Sequence, residues 1–165
     1  GHGVTNEEQE LFFLTHDADK KRPFTGMAID RFRSYLDNRP INQNVLFLLD
    51  ICHSGAAEGR VVAEDAVQNL TKGTGAVVFA SSSGSQLSFE DETFGGGHGA
   101  FTAALLEGLR GMADNKVGDR DGYNSLQEMI VFTSARVPEM TQGQQRPSFP
   151  TLSENFDFRM SQSEN

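Results

Sequence analysis

The sequence predicts an α/β fold in which helices flank a mostly parallel sheet. Two segments, Val45–Leu49 and Ala76–Ala80, are continuously apolar and bounded by polar residues, a pattern typical of strands that are buried on both faces. Segments with apolar residues at helical spacing alternate with these strands, which is the order expected of a layered α/β architecture. The length of 165 residues suits one domain.

The composition excludes several classes of protein. A net charge of -9 and an isoelectric point near 4.8 make the chain a poor binder of nucleic-acid phosphates, so we expect no nucleic-acid partner. The longest apolar runs have 5 residues, too few to span a bilayer, and no signal peptide is visible. We therefore expect a cytoplasmic protein without a membrane partner. The single cysteine, Cys52, excludes an internal disulfide and a thiolate-rich zinc site.

The N-terminal half contains two predicted strands and one predicted helix. Residues 10–15 predict a short strand that a polar cluster ends. Residues 25–37 carry apolar side chains at helical spacing, and the residues at 38–40, Asn-Arg-Pro, are expected to end that helix. The buried strand Val45–Leu49 follows. Residues 56–74 are small and polar, and they predict a long connection.

The C-terminal half begins with the second buried strand, Ala76–Ala80. Residues 81–97 are rich in serine, threonine and glycine, and they predict a loop. A helix that carries Phe101 is expected to end at Gly111. Residues 119–122 predict a turn.

A second helix is predicted after this turn, because Ser125 and Glu128 form a capping-box pattern. Four apolar or small residues of this helix fall on one face: Leu126, Met129, Ile130 and Thr133. Pro138 is expected to end the helix, since proline cannot donate a backbone hydrogen bond. Residues 155–159 predict a last strand.

Cys52 is the leading candidate for a catalytic residue. It follows the buried strand Val45–Leu49, and the catalytic groups of open α/β sheets lie at the carboxyl ends of the strands. The small residues at 54–57 leave room for a substrate. A buried cysteine with a packing role explains the position equally well. A nucleophilic role requires a base or a cation that holds the thiolate, since a free thiol has a pKa of about 8.5.

Four histidines compete for the role of the base. His53 is adjacent to Cys52, and neighbours on an extended segment point to opposite faces, which makes His53 a poor partner. His16 lies in an acidic loop and is expected to be solvated. His2 and His98 are each flanked by glycines, which let the backbone approach a ligand. The local sequence does not choose between these two.

The segment Asp50-Ile51-Cys52-His53-Ser54-Gly55 resembles the nucleophile motif of the caspase-like cysteine peptidases, in particular metacaspases and bacterial caspase homologues. Gly1-His2-Gly3 resembles the histidine motif of that family. Further segments resemble its small-subunit half: residues 75–82, 99–109, 136–138 and 145–147. The resemblance implies a caspase-like three-layer sandwich, with a mostly parallel sheet flanked by helices.

The resemblance also implies one peptidase domain over residues 1–165. Residues 1–55 then form the large-subunit part with both motifs, 56–74 the connecting loop, and 75–160 the small-subunit part. The family's domain begins before its histidine motif, with strands that would be missing from this chain. An N-terminal segment or a separate chain is therefore expected to complete the sheet.

The same resemblance implies the roles of the site residues. Cys52 is the nucleophile, His2 is the base, and the backbone N–H groups of Gly3 and Cys52 form the oxyanion hole. Asp50 stands where metacaspases carry an aspartate, and Glu90 adds negative potential to the pocket. The expected function is a cysteine endopeptidase that cleaves polypeptides after arginine or lysine. The alternative is a catalytically impaired signalling or scaffold module with the same fold.

The requirement for metals is the last expectation. The sequence itself requires no cofactor, and the resemblance to metacaspases implies that calcium can activate the enzyme. Residues 119–128 resemble the second half of an EF-hand loop. Val117 occupies the position expected to carry the first ligand, and its side chain has no ligand atom. We therefore interpret the segment as a turn followed by a capped helix, and we assign no metal ligands.

Overall fold

The computed structural model describes residues 2–8, 10–19, 21–38, 45–53, 76–82, 94, 96–97, 99–149 and 156–163. They belong to two compact units, Gly1–Leu87 and Ser88–Asn165. This division is not the one into large- and small-subunit parts, because Ala76–Ala80 pairs with a strand of the first unit. The boundaries of those parts remain a prediction. The α/β character that the sequence predicts is confirmed, since strands and helices occur in both units.

A four-stranded sheet organises the N-terminal part of the first unit. Its strands are β1 (His2–Thr5), β2 (Leu11–Leu14), β3 (Met27–Ala28) and β5 (Cys52–His53). The order is β3-β2-β1-β5, with the first three strands antiparallel and β5 parallel to β1. β1 therefore has a neighbour on each side.

A second, parallel pair of strands completes the first unit. β4 (Val45–Leu49) and β6 (Ala76–Ala80) pair in register from Val45 opposite Ala76 to Leu49 opposite Ala80. The prediction of a strand buried on both faces is confirmed for β6, whose first four residues are buried. It is wrong for β4, where Leu48 is 42% exposed and the other residues are only half-buried. A continuous apolar run does not reveal how much of a strand its neighbours cover.

The core of the first unit is aromatic and lies between the sheet and a helix. Leu11 and Ile29 are buried, and four partly buried residues pack against them: Phe13, Phe32, Leu36 and Phe47. The Phe32 ring lies edge-on to two other rings, at centroid distances of 5.7 Å to both Phe13 and Phe47. This cluster fixes the helix against β2.

That helix, α1 (Asp30–Asp37), is shorter than the predicted residues 25–37. A 3-10 turn, Pro23–Thr25, and strand β3 occupy the first part of the range. Gly26 joins them, and a Cβ there would lie 2.5 Å from the Phe13 carbonyl oxygen. The close approach of the two backbones, which only glycine allows, places this segment in the sheet and not in the helix.

The second unit starts with helix α2 (Ala100–Glu107). The regular α-helical turns end at Glu107, and the chain continues as a wider helical segment over Gly108–Met112. The predicted end at Gly111 is confirmed, because Gly111 has a non-helical φ of 114° that kinks the chain, and the short helix α3 (Ala113–Val117) follows. The turn at 119–122 is confirmed and leads into β7 (Tyr123–Ser125).

The capped helix of the second unit is α4 (Leu126–Met140). The Ser125 hydroxyl accepts from the Glu128 N–H and the Glu128 carboxylate accepts from the Ser125 N–H, so the predicted capping box is confirmed. The predicted inner face is also confirmed, since its four residues are buried: Leu126, Met129, Ile130 and Thr133. The predicted end at Pro138 is wrong. A proline in the last turn removes only one backbone hydrogen bond, and the Thr141 N–H still donates to Val137.

The last strand, β8 (Arg159–Gln162), pairs antiparallel with β7. The predicted strand at 155–159 therefore overlaps it only at Arg159, and residue 155 lies outside the described residues. Pairing sets the true bounds, because Tyr123 lies opposite Gln162 and Ser125 opposite Arg159.

Within the described part of the chain, no helix is long and apolar enough to cross a membrane. The longest described helix, α4, has 15 residues, fewer than a bilayer requires. The predicted cytoplasmic location stays a prediction.

Candidate active site

The pairing of β1 with β5 brings the two candidate catalytic residues together. His2 lies opposite Cys52, and Gly3 lies opposite His53, in a parallel register. Neighbouring strands are about 4.8 Å apart, so this pairing juxtaposes two backbone positions that are remote in sequence. On its other side, β1 is held by β2, where His2 lies opposite Leu14.

The first two residues of β1 differ in their exposure to solvent. The His2 side chain is exposed, and Gly3 is buried. This alternation is normal for an extended strand, whose successive residues face opposite sides of the sheet. The imidazole of His2 is thus open to solvent, while the backbone at Gly3 packs inward. For Cys52 and His53 the structure describes the backbone, and the side chains lie outside the description.

Ser81, just after β6, positions the segment that leads to Cys52. Its N–H donates to the Leu49 carbonyl at 2.8 Å, and its hydroxyl donates to the Ile51 carbonyl at 3.5 Å. Ser81 is 1% exposed, so these bonds are shielded from water. The sequence assigned Ser81 to a loop. The signal for its role is a small polar residue placed directly after a buried strand.

Asp50 lies between β4 and β5 and is half-buried. The Asp50 and Cys52 side chains would be expected on the same side if both residues lay on one continuous strand, in which residues two apart share a face. That premise is wrong, because β4 ends at Leu49 and β5 begins at Cys52 on a different sheet. The substrate-binding role of Asp50 remains a prediction that rests on the resemblance alone.

The structure describes two of the other histidines, and it does not describe the third or Glu90, the second residue predicted for the pocket. His16 is exposed in a turn, as predicted for a solvated residue. His53 lies on β5 opposite Gly3. His98 and Glu90 lie outside the described residues, so their predicted roles remain untested.

Nucleophilic cysteine catalysis uses a thiol and an imidazole that takes its proton, and Cys52 and His2 are residues of these two types on paired strands. The family model of the caspase domain matches residues 1–158, which is nearly the whole chain. No curated protein and no solved structure matches the chain significantly. Because the family model covers both candidate motifs and the strands that pair them, the chain belongs to the caspase domain family, a family of cysteine peptidases.

Proposed function

We propose that the protein is a cysteine endopeptidase with Cys52 as the nucleophile and His2 as the general base. The observation that carries this proposal is the direct pairing of His2 with Cys52 across β1 and β5, in a chain of the caspase domain family. His2 is preferred over His98 because its backbone is held next to that of Cys52. The exposed imidazole of His2 is also open to an incoming substrate.

The proposed reaction has two steps. His2 takes the proton of the Cys52 thiol, and the thiolate attacks the carbonyl carbon of the scissile bond. The imidazolium then gives the proton to the leaving amine, and a thioester to Cys52 remains. In the second step His2 takes a proton from water, and the resulting hydroxide attacks the thioester. The C–S bond breaks, the new carboxylic acid leaves, and the imidazolium returns its proton to the Cys52 thiolate.

The proposed oxyanion hole uses the backbone N–H groups of Gly3 and Cys52. Two fixed donors stabilise the charge that develops on the carbonyl oxygen, and loss of one such donor costs about 10²–10³ in rate. The burial of Gly3 supports this assignment, because water then competes weakly for the donor.

We further propose that Asp50, with Glu90, selects arginine or lysine at the residue before the cleaved bond, as in metacaspases. Asp50 lies two residues before Cys52, and its partial burial suits a carboxylate in a binding cleft. Activation by calcium, and completion of the sheet by an N-terminal segment, are also proposed from the resemblance. The assays below are therefore run with and without calcium.

The catalytic pair is tested by single substitutions in the intact protein. We expect Cys52→Ala to abolish hydrolysis of a fluorogenic arginyl peptide, because the chain has no other cysteine. His2→Ala should lower kcat/KM by about 10²–10⁴, the usual contribution of a general base. His16→Ala is the matched control, since His16 is exposed in a turn, and it should leave the rate unchanged. Turnover by Cys52→Ala would end the proposal, and full activity in His2→Ala would transfer the role to His98.

The specificity is tested with peptides that carry Arg, Lys, Gln or Asp before the cleaved bond. We expect Arg and Lys to be cleaved and Asp rejected, because two carboxylates in one cleft repel. Asp50→Ala should lower kcat/KM for the arginyl peptide more than tenfold, about 1–3 kcal/mol for a lost charge-assisted contact. Glu8→Ala, an exposed acidic residue of the same unit, is the control. A preference for Asp would contradict the proposed specificity for basic residues, but it would not affect the proposal that Cys52 and His2 are catalytic.

A folded wild-type protein whose Cys52 is not alkylated by iodoacetamide near neutral pH, and which cleaves none of these peptides, would favour the scaffold alternative. An activated thiol reacts fast under these conditions, whereas a buried or unactivated one reacts slowly.

A further inference from the structure

Three aspartates of the second unit converge where α3 meets the turn before β7. One carboxylate oxygen each from Asp114, Asp119 and Asp121 lies within 4.8 Å of the other two. Asp119 and Asp121 are exposed, and Asp114 is 2% exposed. Three like charges at this spacing repel one another, and the repulsion is strongest for the buried member.

The buried carboxylate of Asp114 has one oxygen that is satisfied and one that is not. Oδ2 accepts from the Gly122 N–H at 3.2 Å and from the Ser163 hydroxyl at 2.9 Å. Oδ1 is buried and has no hydrogen-bond partner. An orphaned oxygen on a buried charge is costly unless a partner outside the chain supplies the missing interaction. A cation is a partner of the right charge.

The turn that carries the two other aspartates is already held in shape. The Asp119 carboxylate accepts a hydrogen bond from the Asp121 N–H at 3.1 Å, and the Asp121 carboxylate accepts one from the Tyr123 N–H at 2.9 Å. Glu128 also stabilises this turn, since its Oε1 accepts a hydrogen bond from the Asp119 N–H at 3.2 Å. The carboxylate of Glu128 is therefore used by the scaffold. A cation would bind without the loop having to form first.

Asp114 lies outside the EF-hand register, which is why the sequence pattern did not indicate a metal site. In the EF-hand register the first ligand falls on Val117, which has none to offer. Asp114 stands three residues earlier on the same short helix, which is about one helical turn, and it supplies a buried carboxylate in place of the missing one.

We propose that Asp114, Asp119 and Asp121 bind one calcium ion in the second unit. Carboxylate oxygens are hard ligands, which Ca²⁺ and Mg²⁺ both prefer. Two oxygens bound to one Ca²⁺ at about 2.4 Å are at most about 4.8 Å apart, and for Mg²⁺ at about 2.1 Å the limit is about 4.2 Å. The three oxygens lie within 4.8 Å of one another, so one ion can contact all of them. We choose Ca²⁺ because it accepts an irregular set of oxygen ligands, whereas Mg²⁺ demands a near-ideal octahedron.

One cation of the protein already competes for this site. Arg159 donates to Asp121 Oδ2 at 3.2 Å, and its guanidinium lies 3.8 Å from the centre of the Tyr123 ring. The Arg159 side chain is 63% exposed, so it can withdraw when calcium binds. With three carboxylates and this competition, we expect a modest affinity, on the order of 10⁻⁴ M.

The proposal is tested by calorimetric titration of the full chain with CaCl₂, and separately with MgCl₂, after removal of divalent ions. We expect one Ca²⁺ per chain, weaker Mg²⁺ binding, and a rise in the unfolding midpoint with calcium. Asp114→Asn keeps an oxygen that can accept from Gly122 and Ser163, and it should weaken calcium binding at least tenfold. Asp119→Asn, at an exposed position, should do the same if Asp114→Asn fails to fold.

Glu139→Gln is the matched control, because it removes the same charge from the same unit at an exposed position of α4. It should leave calcium binding unchanged. Absence of calcium binding by the wild type at millimolar concentration would overturn the proposal. Equal binding by Asp114→Asn, Asp119→Asn and Glu139→Gln would also overturn it.

Terbium luminescence locates the ion. The chain has two tyrosines and no tryptophan, and Tyr123 lines the same surface pocket as Asp119 and Asp121. Tb³⁺ added to the full chain should emit on tyrosine excitation, and calcium should displace it. Tyr123→Phe should remove the emission and Tyr35→Phe should not. The reverse result would place the ion elsewhere and contradict the site.

Discussion

Two buried threonines of the second unit have opposite surroundings. Thr133, on the inner face of α4, is fully buried, and its hydroxyl oxygen has no hydrogen-bond partner. Thr141, just after the helix, is 4% exposed; its hydroxyl donates to the Val137 carbonyl at 2.8 Å and accepts from the Gln145 N–H at 3.1 Å. Burying the Thr133 hydroxyl therefore destabilises the folded state, whereas the Thr141 hydroxyl stabilises it by hydrogen bonding at the end of α4.

The same substitution at these two positions should therefore have opposite effects. Thr133→Val removes an unsatisfied hydroxyl without changing the shape, and it should raise the free energy of unfolding by about 1 kcal/mol. Thr141→Val leaves a buried carbonyl and a buried N–H with fewer partners, and it should lower that free energy by about 1–3 kcal/mol. Urea denaturation of both variants measures the difference. A change of the same sign in both would contradict this account.

Among the elements of the second unit, α2 and α4 are joined by a fork-shaped ion pair. Arg136 donates from Nε and Nη2 to the two carboxylate oxygens of Glu107, at 2.7 and 3.1 Å. The hydrogen bonding of Arg136 to the Glu107 carboxylate raises the pKa of Arg136 above its ordinary value, although burial opposes the shift. Both side chains are about one-third exposed, at 33% and 35%, so the pair is partly shielded from water.

We expect Arg136→Met to lower the free energy of unfolding by about 1–2 kcal/mol, since it breaks two charge-assisted bonds. Arg136→Lys should be intermediate, because an ammonium cannot match both oxygens of Glu107. Glu139 also contacts Arg136 but is 71% exposed, so Glu139→Gln should change stability by less than about 0.5 kcal/mol. Thermal unfolding of the three variants checks this order. If Glu139→Gln lowered the free energy of unfolding as much as Arg136→Met, the ion pair of Arg136 with Glu107 would not be the main contribution.

At the scale of the whole molecule, the pairing of β4 with β6 bears on maturation. The segment 56–74 lies between these strands in the sequence and contains two basic residues, Arg60 and Lys72. If the enzyme cleaves itself after a basic residue, these are the expected positions. The five paired residues of β4 and β6 would then hold the two fragments together.

We therefore expect the purified wild type to show a new N-terminus at Val61 or Gly73, while the fragments elute together in gel filtration. The Cys52→Ala variant is the control, and it should stay intact. N-terminal sequencing and denaturing electrophoresis detect the cut. Cleavage after an aspartate would contradict the basic preference, and separation of the fragments without denaturant would contradict the role of the β4–β6 pair.

Local features of the sequence predicted about half of the elements of secondary structure. The strand at Ala76–Ala80, the turn at 119–122 and the capping box of Ser125 and Glu128 are where the sequence predicts them. Each depends on residues only a few positions apart, so apolar periodicity and side-chain caps are sufficient to identify it. Cys52 was singled out on local grounds as well, as a reactive residue type three positions after an apolar run, and its catalytic role stays a prediction.

The features that depend on distant partners were decided only by the tertiary structure. The local sequence left His2 and His98 open and the resemblance favoured His2, whereas only the pairing of β1 with β5 shows that the backbones of His2 and Cys52 lie side by side. The sequence also assigned no metal ligand, because Val117 has no ligand atom, and only the folded unit brings Ser163, 49 residues away, to the Asp114 carboxylate beside Asp119 and Asp121. Strand pairing and helix packing bring together residues whose separation along the chain carries no periodic signal, so a sequence pattern alone cannot reveal such contacts.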